Sequence, residues 1–257
     1  MILAEPYAGL AAASIVASGA EPLASRMGSK RGVAPSVLSE LGVLERPRGV
    51  VLAEADPRIR AVWESIAVRD VALAAAAGLE TVGDGRDAFD LAAKNVAEER
   101  PSVAPWYAIS VLYAVGNSYE GSMTRFKAPP SSRSVPTNVS GATLARRLRK
   151  AALLLPPLAV FADARDVEPF LGPGDVAFLD PPYVGTAKYD FDEAREDAVF
   201  LALRLANRGV RVGYSENDPV PELVERGWKA TKLSRTRQKS SWSSQEWITV
   251  SPQPSSG

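Results

Sequence analysis

Val176-Ala-Phe-Leu-Asp-Pro-Pro-Tyr183 is the stretch that most directly indicates the fold, because four apolar residues run into an acid, two prolines and an aromatic residue. A short apolar run closed by prolines predicts a buried β-strand. The acid and the aromatic residue then stand at the carboxyl end of that strand, which is where open parallel sheets bind their ligands. We therefore predict a site at the edge of a sheet, centred on Asp180.

The same pattern, a short apolar run that ends in an acid, occurs twice earlier in the chain. Met1-Ile-Leu-Ala-Glu5 leads into an alanine-rich helical run that extends to Ala20, and Gly49-Val-Val-Leu-Ala-Glu54 leads into an amphipathic run that begins at Pro57. Strands and helices that alternate in this way predict an α/β fold with a doubly wound, mostly parallel, Rossmann-like sheet. Further strands are predicted at residues 158–163, 210–215, 230–233 and 246–250, and a further helix at residues 192–207.

The middle of the chain interrupts this alternation. Residues 68–157 have helical or irregular periodicity, and residues 128–141 within them, rich in Pro, Ser and Thr, predict an exposed loop. We therefore expect one catalytic domain made of residues 1–67 and 158–251, an inserted helical and basic region at residues 68–157, and a flexible tail at residues 252–257.

Composition limits the chemistry that this chain can perform. At 257 residues with 46% hydrophobic content, it can bury one full core, and it contains no Cys and no His. Disulfides, thiolate nucleophiles, Cys-based metal sites, imidazole bases and zinc deaminase chemistry are thereby excluded. No apolar stretch approaches the roughly 18 to 20 residues of a membrane span, so the expected location is the cytoplasm.

The residues after the predicted strand at 176–180 suit one particular reaction. The exocyclic amine of adenine is a poor nucleophile because its lone pair is delocalised into the ring. The Asp180 carboxylate and the Pro181 carbonyl can accept hydrogen bonds from the amine and localise that lone pair. Pro181 and Pro182 fix the turn, and Tyr183 can stack on a flipped-out base, a contact worth about 1–3 kcal/mol. The alternative is an ordinary turn in which Tyr183 packs against the protein.

These residues resemble a known family, the Dam-like class of DNA adenine-N6 methyltransferases, whose catalytic motif is D-P-P-Y at the end of a strand. Residues 166–175, the stretch Ser215-Glu-Asn-Asp218 and the closing stretch Glu246-Trp-Ile-Thr-Val250 are similar to further segments of that family. The resemblance implies a Rossmann-like methyltransferase sheet with an inserted target-recognition region. It also implies transfer of a methyl group from S-adenosyl-L-methionine to adenine-N6 in double-stranded DNA, without a metal.

The resemblance also assigns a cofactor site. Ala4-Glu-Pro-Tyr-Ala-Gly9 looks like the E-P-F-x-G segment around the methionine part of the cofactor, although the second glycine expected two residues later is Ala11. Glu54, with Asp56 beside it, would accept hydrogen bonds from the ribose hydroxyls. Asp166 and Val167 would lie near the adenine ring. The stretch Arg26-Met-Gly-Ser-Lys-Arg31 resembles a segment that the family places before its first strand, and implies a cofactor contact for Lys30. The implied cofactor-binding residues are Glu5, Pro6, Tyr7, Ala8, Gly9, Lys30, Glu54, Asp56, Asp166, Val167 and Asp180.

Basic residues are concentrated locally, although Lys+Arg and Asp+Glu both number 30. No acidic residue occurs from Gly121 to Ala162, and a stretch near residue 235 is similar. Such basic stretches predict contacts with a phosphate backbone, and solvated helix faces are the alternative. The residues assigned to DNA are Arg125, Lys127, Arg133, Arg146, Arg147, Arg149, Arg235 and Arg237.

Several alternatives remain open. The same amine chemistry would serve cytosine-N4 in DNA or adenine-N6 in RNA. A protein-glutamine methyltransferase is a further alternative, but its related motif usually begins with Asn and not with Asp. A noncatalytic nucleic-acid-binding relative is conceivable because Ala11 and the displaced Lys30 segment depart from the family pattern. The sequence leaves a restriction endonuclease partner, the recognition sequence and the oligomeric state open.

Overall fold

A computed structural model describes residues 1–24, 32–118, 122–126, 139–181, 191–233 and 246–253, with the backbone alone at residues 191–194. Within these ranges the chain forms a single sheet of seven strands. Their bounds are β1 Ile2–Glu5, β2 Gly49–Ala53, β3 Leu158–Phe161, β4 Val176–Leu179, β5 Arg211–Glu216, β6 Lys229–Lys232 and β7 Trp247–Val250.

The strand order across the sheet is β3-β2-β1-β4-β5-β7-β6. The first five of these strands pair in parallel, whereas β7 runs antiparallel to both β5 and β6. The prediction of an α/β fold with a doubly wound, mostly parallel, Rossmann-like sheet is confirmed. The order reverses between β1 and β4, and a crevice at the carboxyl ends of the strands beside such a reversal is the usual ligand site of this architecture.

Helices cover both faces of the sheet. Their bounds are α1 Ala12–Ala17, α2 Ala34–Leu41, α3 Pro57–Ala67, α4 Arg69–Thr81, α5 Arg86–Glu98, α6 Pro105–Asn117, α7 Gly141–Leu154, α8 Phe191–Asn207 and α9 Pro221–Val224, with a 3₁₀ helix at Ala164–Phe170. Alternate residues of the strands point to opposite faces. Leu3 and Phe178 pack with α1 and α2, while Ala4 and Leu179 pack with α8.

Four helices, α4 to α7, occupy the stretch between α3 and β3 in which strand patterns are absent from the sequence. They share a hydrophobic core with α1, α3 and β2 that contains Trp63, Leu79 and Leu148. The division of the chain into a catalytic domain and an insertion remains a prediction. One boundary is corrected: Gly141, predicted to end an exposed loop, is buried at the start of α7, while residues 128–138 of that loop lie outside the described residues.

None of the helices in the described ranges combines the length and the apolar character needed to cross a membrane.

Candidate functional site

Three acidic residues lie at the carboxyl ends of the three adjacent strands in the middle of the sheet. Glu5 is the last residue of β1, Glu54 follows β2, and Asp180 follows β4. The register aligns these ends, because Glu5 is opposite Leu52 on β2 and Ala4 is opposite Ala177 on β4. The fold therefore brings together acids that are far apart in the sequence, at the point where the strand order reverses.

Glu5 is buried at this edge, with 4% of its surface exposed. Its Oε1 accepts a hydrogen bond of 2.6 Å from the backbone N–H of Ser14, in the first turn of α1. Burial raises the pKa of the Glu5 carboxyl to about 7, hydrogen bonds from Ser14 act against this rise, and the Asp180 carboxylate adds to it. The two residues stand at the carboxyl ends of the paired strands β1 and β4.

The loop between β1 and α1 is held by backbone contacts on several sides. The N–H of Ala8 donates to the Ala53 carbonyl at 2.9 Å, and the indole N–H of Trp63, which is fully buried, donates to the Gly9 carbonyl at 2.8 Å. Gly9 has a φ of 48°, and a Cβ atom there would meet no atom of the described residues within 4 Å. The loop is thus fixed in place, and it leaves open space beside Gly9.

Glu54 connects this loop to the next. Its Oε2 accepts from the backbone N–H of Gly9 at 2.6 Å, and its Oε1 accepts from the backbone N–H of Asp56 at 2.8 Å. The side chain is half-buried. A carboxylate oxygen can accept about two hydrogen bonds, and these contacts orient the Glu54 carboxylate at the edge of the sheet.

Asp56 has a structural task that the sequence interpretation did not include. Its carboxylate caps α3 by accepting from the backbone N–H of Arg58 at 3.0 Å, and it also binds the Arg58 guanidinium through two hydrogen bonds of 2.9 Å. A cofactor contact for Asp56 remains a prediction, and it would have to coexist with this cap.

The predicted catalytic stretch is only partly within the described residues. Asp180 is half-buried and Pro181 is buried at the carboxyl end of β4, where the sequence placed them. Pro182 and Tyr183 lie outside the described residues, as do Lys30, Lys127, Arg133, Arg235 and Arg237.

Tyr7 lies on the opposite face of the sheet from Glu5. Its ring packs against the core beneath α8 and remains half-exposed. The pKa of its hydroxyl is raised to about 12, mainly by burial and also by the carboxylates of Asp197 and Asp163, while Arg165 acts in the opposite direction. The Tyr7 hydroxyl is therefore neutral at neutral pH, and it can serve as a hydrogen-bond donor at this edge of the sheet.

The residues after β3 differ widely in their exposure. Asp163, which the sequence interpretation did not assign to the site, caps the 3₁₀ helix through the backbone N–H of Arg165 at 2.8 Å and pairs with the Arg165 guanidinium. Asp166 is exposed, whereas Val167 is completely buried in the core beneath α8. A contact between Val167 and a cofactor ring remains a prediction, and it would require the neighbouring side chains to move.

The basic residues of α7 are paired with acids from distant parts of the chain. Arg146 binds Glu21 through two hydrogen bonds of 2.6 and 2.9 Å, and Arg149 binds Glu80 at 2.9 Å. The Arg147 guanidinium donates to the Leu23 carbonyl at 3.2 Å. Local sequence gives no signal for these partners, since Glu21 precedes Arg146 by 125 positions. Arg125 is exposed beside α6.

The arrangement can hold a polar ligand at the centre of the sheet edge. Glu54 offers acceptors, Gly9 leaves open space, and Asp180 presents a carboxylate on the other side of β1. In the part of the chain that the structure describes, acidic side chains do not gather in a group of three or more that could hold a metal ion.

No family model matches this chain, and no curated protein does. Two solved structures of an rRNA methyltransferase, aviRa from Streptomyces viridochromogenes, resemble it. The first is 14% identical, covers 97% of this chain and 75% of that chain, and has a TM-score of 0.35. The second is 15% identical with the same coverage and a TM-score of 0.34. Values this low carry no inference about the chemistry of this chain.

Proposed function

We propose that this chain is an S-adenosylmethionine-dependent methyltransferase that transfers a methyl group to the exocyclic amine of adenine, at N6, in DNA. The observation that carries the proposal is the position of Glu5, Glu54 and Asp180 at adjacent strand ends, on both sides of the point where the strand order reverses. Two halves of a site meet there, one suited to a nucleoside cofactor and the other to an amine.

The residues of the cofactor half fit S-adenosylmethionine. The Glu54 carboxylate is oriented by two backbone N–H groups and can also accept hydrogen bonds from ribose hydroxyls. The open space beside Gly9 allows the ligand to approach the backbone closely. Pro6, Tyr7 and Ala8 continue the loop along this half. When bound, the cofactor supplies an electrophilic methyl group on a positively charged sulfur.

The residues of the acceptor half would prepare the amine. The Asp180 carboxylate and the Pro181 carbonyl would accept its two N–H groups and turn its lone pair toward the methyl carbon. The amine nitrogen would then form a bond to the methyl carbon as the carbon–sulfur bond breaks, and the amine would lose one proton through Asp180 or to water. Tyr183 would stack on the base, and two consecutive prolines in the sequence would limit the ordering needed on binding. Positioning and electrostatics provide the catalysis, as a chain without Cys and His requires.

Nucleic-acid contact is proposed first for Arg125, which is exposed, and for Lys127, Arg133, Arg235 and Arg237. Phosphate binding by the arginines of α7 would require their present contacts to break. These contacts join Arg146 to Glu21, Arg147 to the Leu23 carbonyl and Arg149 to Glu80. Cytosine-N4 in DNA and adenine-N6 in RNA remain the alternative acceptors, because the proposed chemistry of Asp180 is the same for each.

The deciding experiment incubates the purified protein with methyl-labelled S-adenosylmethionine and with duplex DNA, single-stranded DNA or RNA of mixed sequence. The product is digested to nucleosides, and the labelled nucleoside is identified by mass. N6-methyladenine from duplex DNA supports the full proposal. N4-methylcytosine, or label in RNA alone, would move the activity to an alternative acceptor. Cofactor binding without transfer to any of these would contradict the proposal.

Asp180→Ala tests the acceptor half. We expect the methylation rate to fall at least about 10³-fold, because an oriented hydrogen-bonding group at a reacting centre contributes about 10²–10³-fold and the base also loses its anchor. Cofactor affinity should stay within about five-fold, a difference of roughly 1 kcal/mol. Single-turnover rates and calorimetric titration with the cofactor measure the two quantities. Asp84→Ala, an exposed change between α4 and α5, is the matched control. Wild-type turnover by Asp180→Ala would remove Asp180 from the mechanism.

A further inference from the structure

Glu5 is a buried carboxyl group, and among the described residues the charged group that acts on its pKa is another carboxylate. It lies at the end of β1, and 4% of its surface is exposed. From α1 it receives the backbone N–H groups of Ser14 and Ala13, and from β4 it faces the charge of Asp180. Its partner in register on β2 is Leu52, which is apolar. Among the described residues that act on the ionisation of Glu5, none carries a positive charge.

This environment disfavours the ionised carboxylate. Burial removes hydration from the charge, and the neighbouring Asp180 carboxylate repels it, so that the hydrogen bonds from Ser14 compensate only in part. The pKa of Glu5 rises to about 7 as a result. Roughly half of the molecules therefore carry a protonated Glu5 at neutral pH, and a positive charge nearby would favour the ionised form.

We propose that Glu5 is a specificity-determining residue that responds to the charge of the cofactor: in the ligand-free protein it is protonated in part of the molecules at neutral pH, and it becomes fully ionised, releasing that proton to solvent, when the sulfonium of S-adenosylmethionine binds beside it. The inference rests on the proposed function, because it requires that cofactor. Ionised Glu5 attracts the sulfonium. After methyl transfer the sulfur is a neutral thioether, the attraction disappears, and Glu5 takes up a proton again. The residue thereby favours the methyl donor over the demethylated product.

The proposal predicts proton release on cofactor binding. A positive charge within about 4–6 Å lowers the pKa of a carboxyl group by about 1–3 units. About half a proton should therefore be released for each cofactor bound at pH 7, more near pH 6, and almost none above pH 8. The dissociation constant for S-adenosylmethionine should fall about 10-fold or more between pH 5 and pH 8 through this linkage. The dissociation constant for S-adenosylhomocysteine should change much less.

Calorimetric titration with each of the two compounds, in buffers of different ionisation enthalpy, measures the protons released. We expect Glu5→Gln to abolish the release that is specific to S-adenosylmethionine and to flatten its pH dependence. Gln keeps the size of the side chain, and its carbonyl can accept from Ser14. Glu98→Gln, an exposed change on α5, should behave as wild type. These readouts do not depend on methyl transfer.

Asp180→Asn provides a second test that leaves Glu5 in place. Removing the Asp180 charge lowers the pKa of Glu5, so fewer protons should be released for each cofactor bound at pH 7. Both Asp180→Asn and Asp180→Ala should still bind the cofactor. If S-adenosylmethionine does not bind to the wild type, the proposed function itself is wrong. If it binds, but the proton release is absent or is unchanged in Glu5→Gln, the role of Glu5 is wrong and the proposed function stands.

Discussion

Ala11 is the residue at which this chain departs from the glycine-rich loop that its sequence resembles, and the backbone there is unusual. It has φ 42° and ψ 52°, in the left-handed region, immediately before α1. For a residue with a side chain this region costs about 1–2 kcal/mol, whereas glycine adopts it freely. The loop therefore keeps a glycine-like shape at a position that carries Ala, so the substitution affects strain more than the path of the chain.

We expect Ala11→Gly to stabilise the protein by up to about 1 kcal/mol. The gain comes from relieving the left-handed strain, and the greater freedom of glycine in the unfolded chain offsets about 0.4–1 kcal/mol of it. Urea unfolding measures the free energy of unfolding. Ala12→Gly, one residue later and inside α1, is the matched control and should destabilise by about 0.5–1 kcal/mol. Equal destabilisation by both variants would show that the backbone at Ala11 is not strained.

At the scale of single residues, the sequence predicted the positions of the candidate site residues better than it predicted their contacts. Short apolar runs that end in acids correctly predicted that Glu5, Glu54 and Asp180 stand at the carboxyl ends of β1, β2 and β4. The anchoring of Gly9 by Trp63 could not be predicted, because the two residues are separated by 54 positions and meet only in the folded chain.

At the scale of elements, α7 packs against α4, and Gly141 permits a close approach of the two helices. A Cβ atom at Gly141 would lie 2.3 Å from the backbone carbonyl oxygen of Leu79, a distance that no rotamer change can relieve. The buried start of α7 must therefore be a residue without a side chain, or the two helices must separate.

Gly141→Ala is expected to destabilise the protein by at least about 2 kcal/mol, since overpacking of this kind costs about 1–3 kcal/mol and here the obstacle is backbone. Gly116→Ala is the control. It lies in α6, its Cβ would meet Leu144 at an ordinary 3.5 Å, and alanine is the better helix former by about 1 kcal/mol. Thermal and urea unfolding of both variants test the contrast. A neutral Gly141→Ala would mean that α7 can shift freely on α4.

The elements themselves were predictable to different degrees. Within the described residues, each of the seven strands begins and ends within two residues of a predicted strand, and α3 begins at the proline that the sequence indicated. By contrast, α2 was not predicted, and the helical character of residues 68–157 did not reveal the bounds of α4 to α7. Helices that pack on one another bury several faces, as α6 does with nine buried residues, and so lose the single apolar stripe that marks a helix in sequence.

At the scale of the whole molecule, the distribution of charge along the chain differs from its distribution in space. The acid-free stretch from Gly121 to Ala162 indicated a basic surface, but folding brings Glu21 and Glu80 against α7. Lys150 also lies 3.7 Å from Glu21, so that one acid serves several bases. Arg125 was also predicted to bind DNA, and it is exposed. Within the described residues no acid is seen to pair with it.

This distinction predicts different effects of two arginine variants on nucleic-acid binding. Each phosphate contact adds about one unit to the slope of the logarithm of the association constant against the logarithm of salt concentration. Arg125→Ala should therefore reduce this slope by about one, whereas Arg146→Ala should leave it unchanged, because Arg146 is neutralised by Glu21. Binding of a labelled DNA duplex at several salt concentrations measures both. Glu21→Gln tests whether α7 faces the duplex. If it does, the variant frees Arg146 to bind a phosphate, and the slope will become steeper. A reduced slope in Arg146→Ala would contradict the expectation and show that the pair of Arg146 with Glu21 opens on binding.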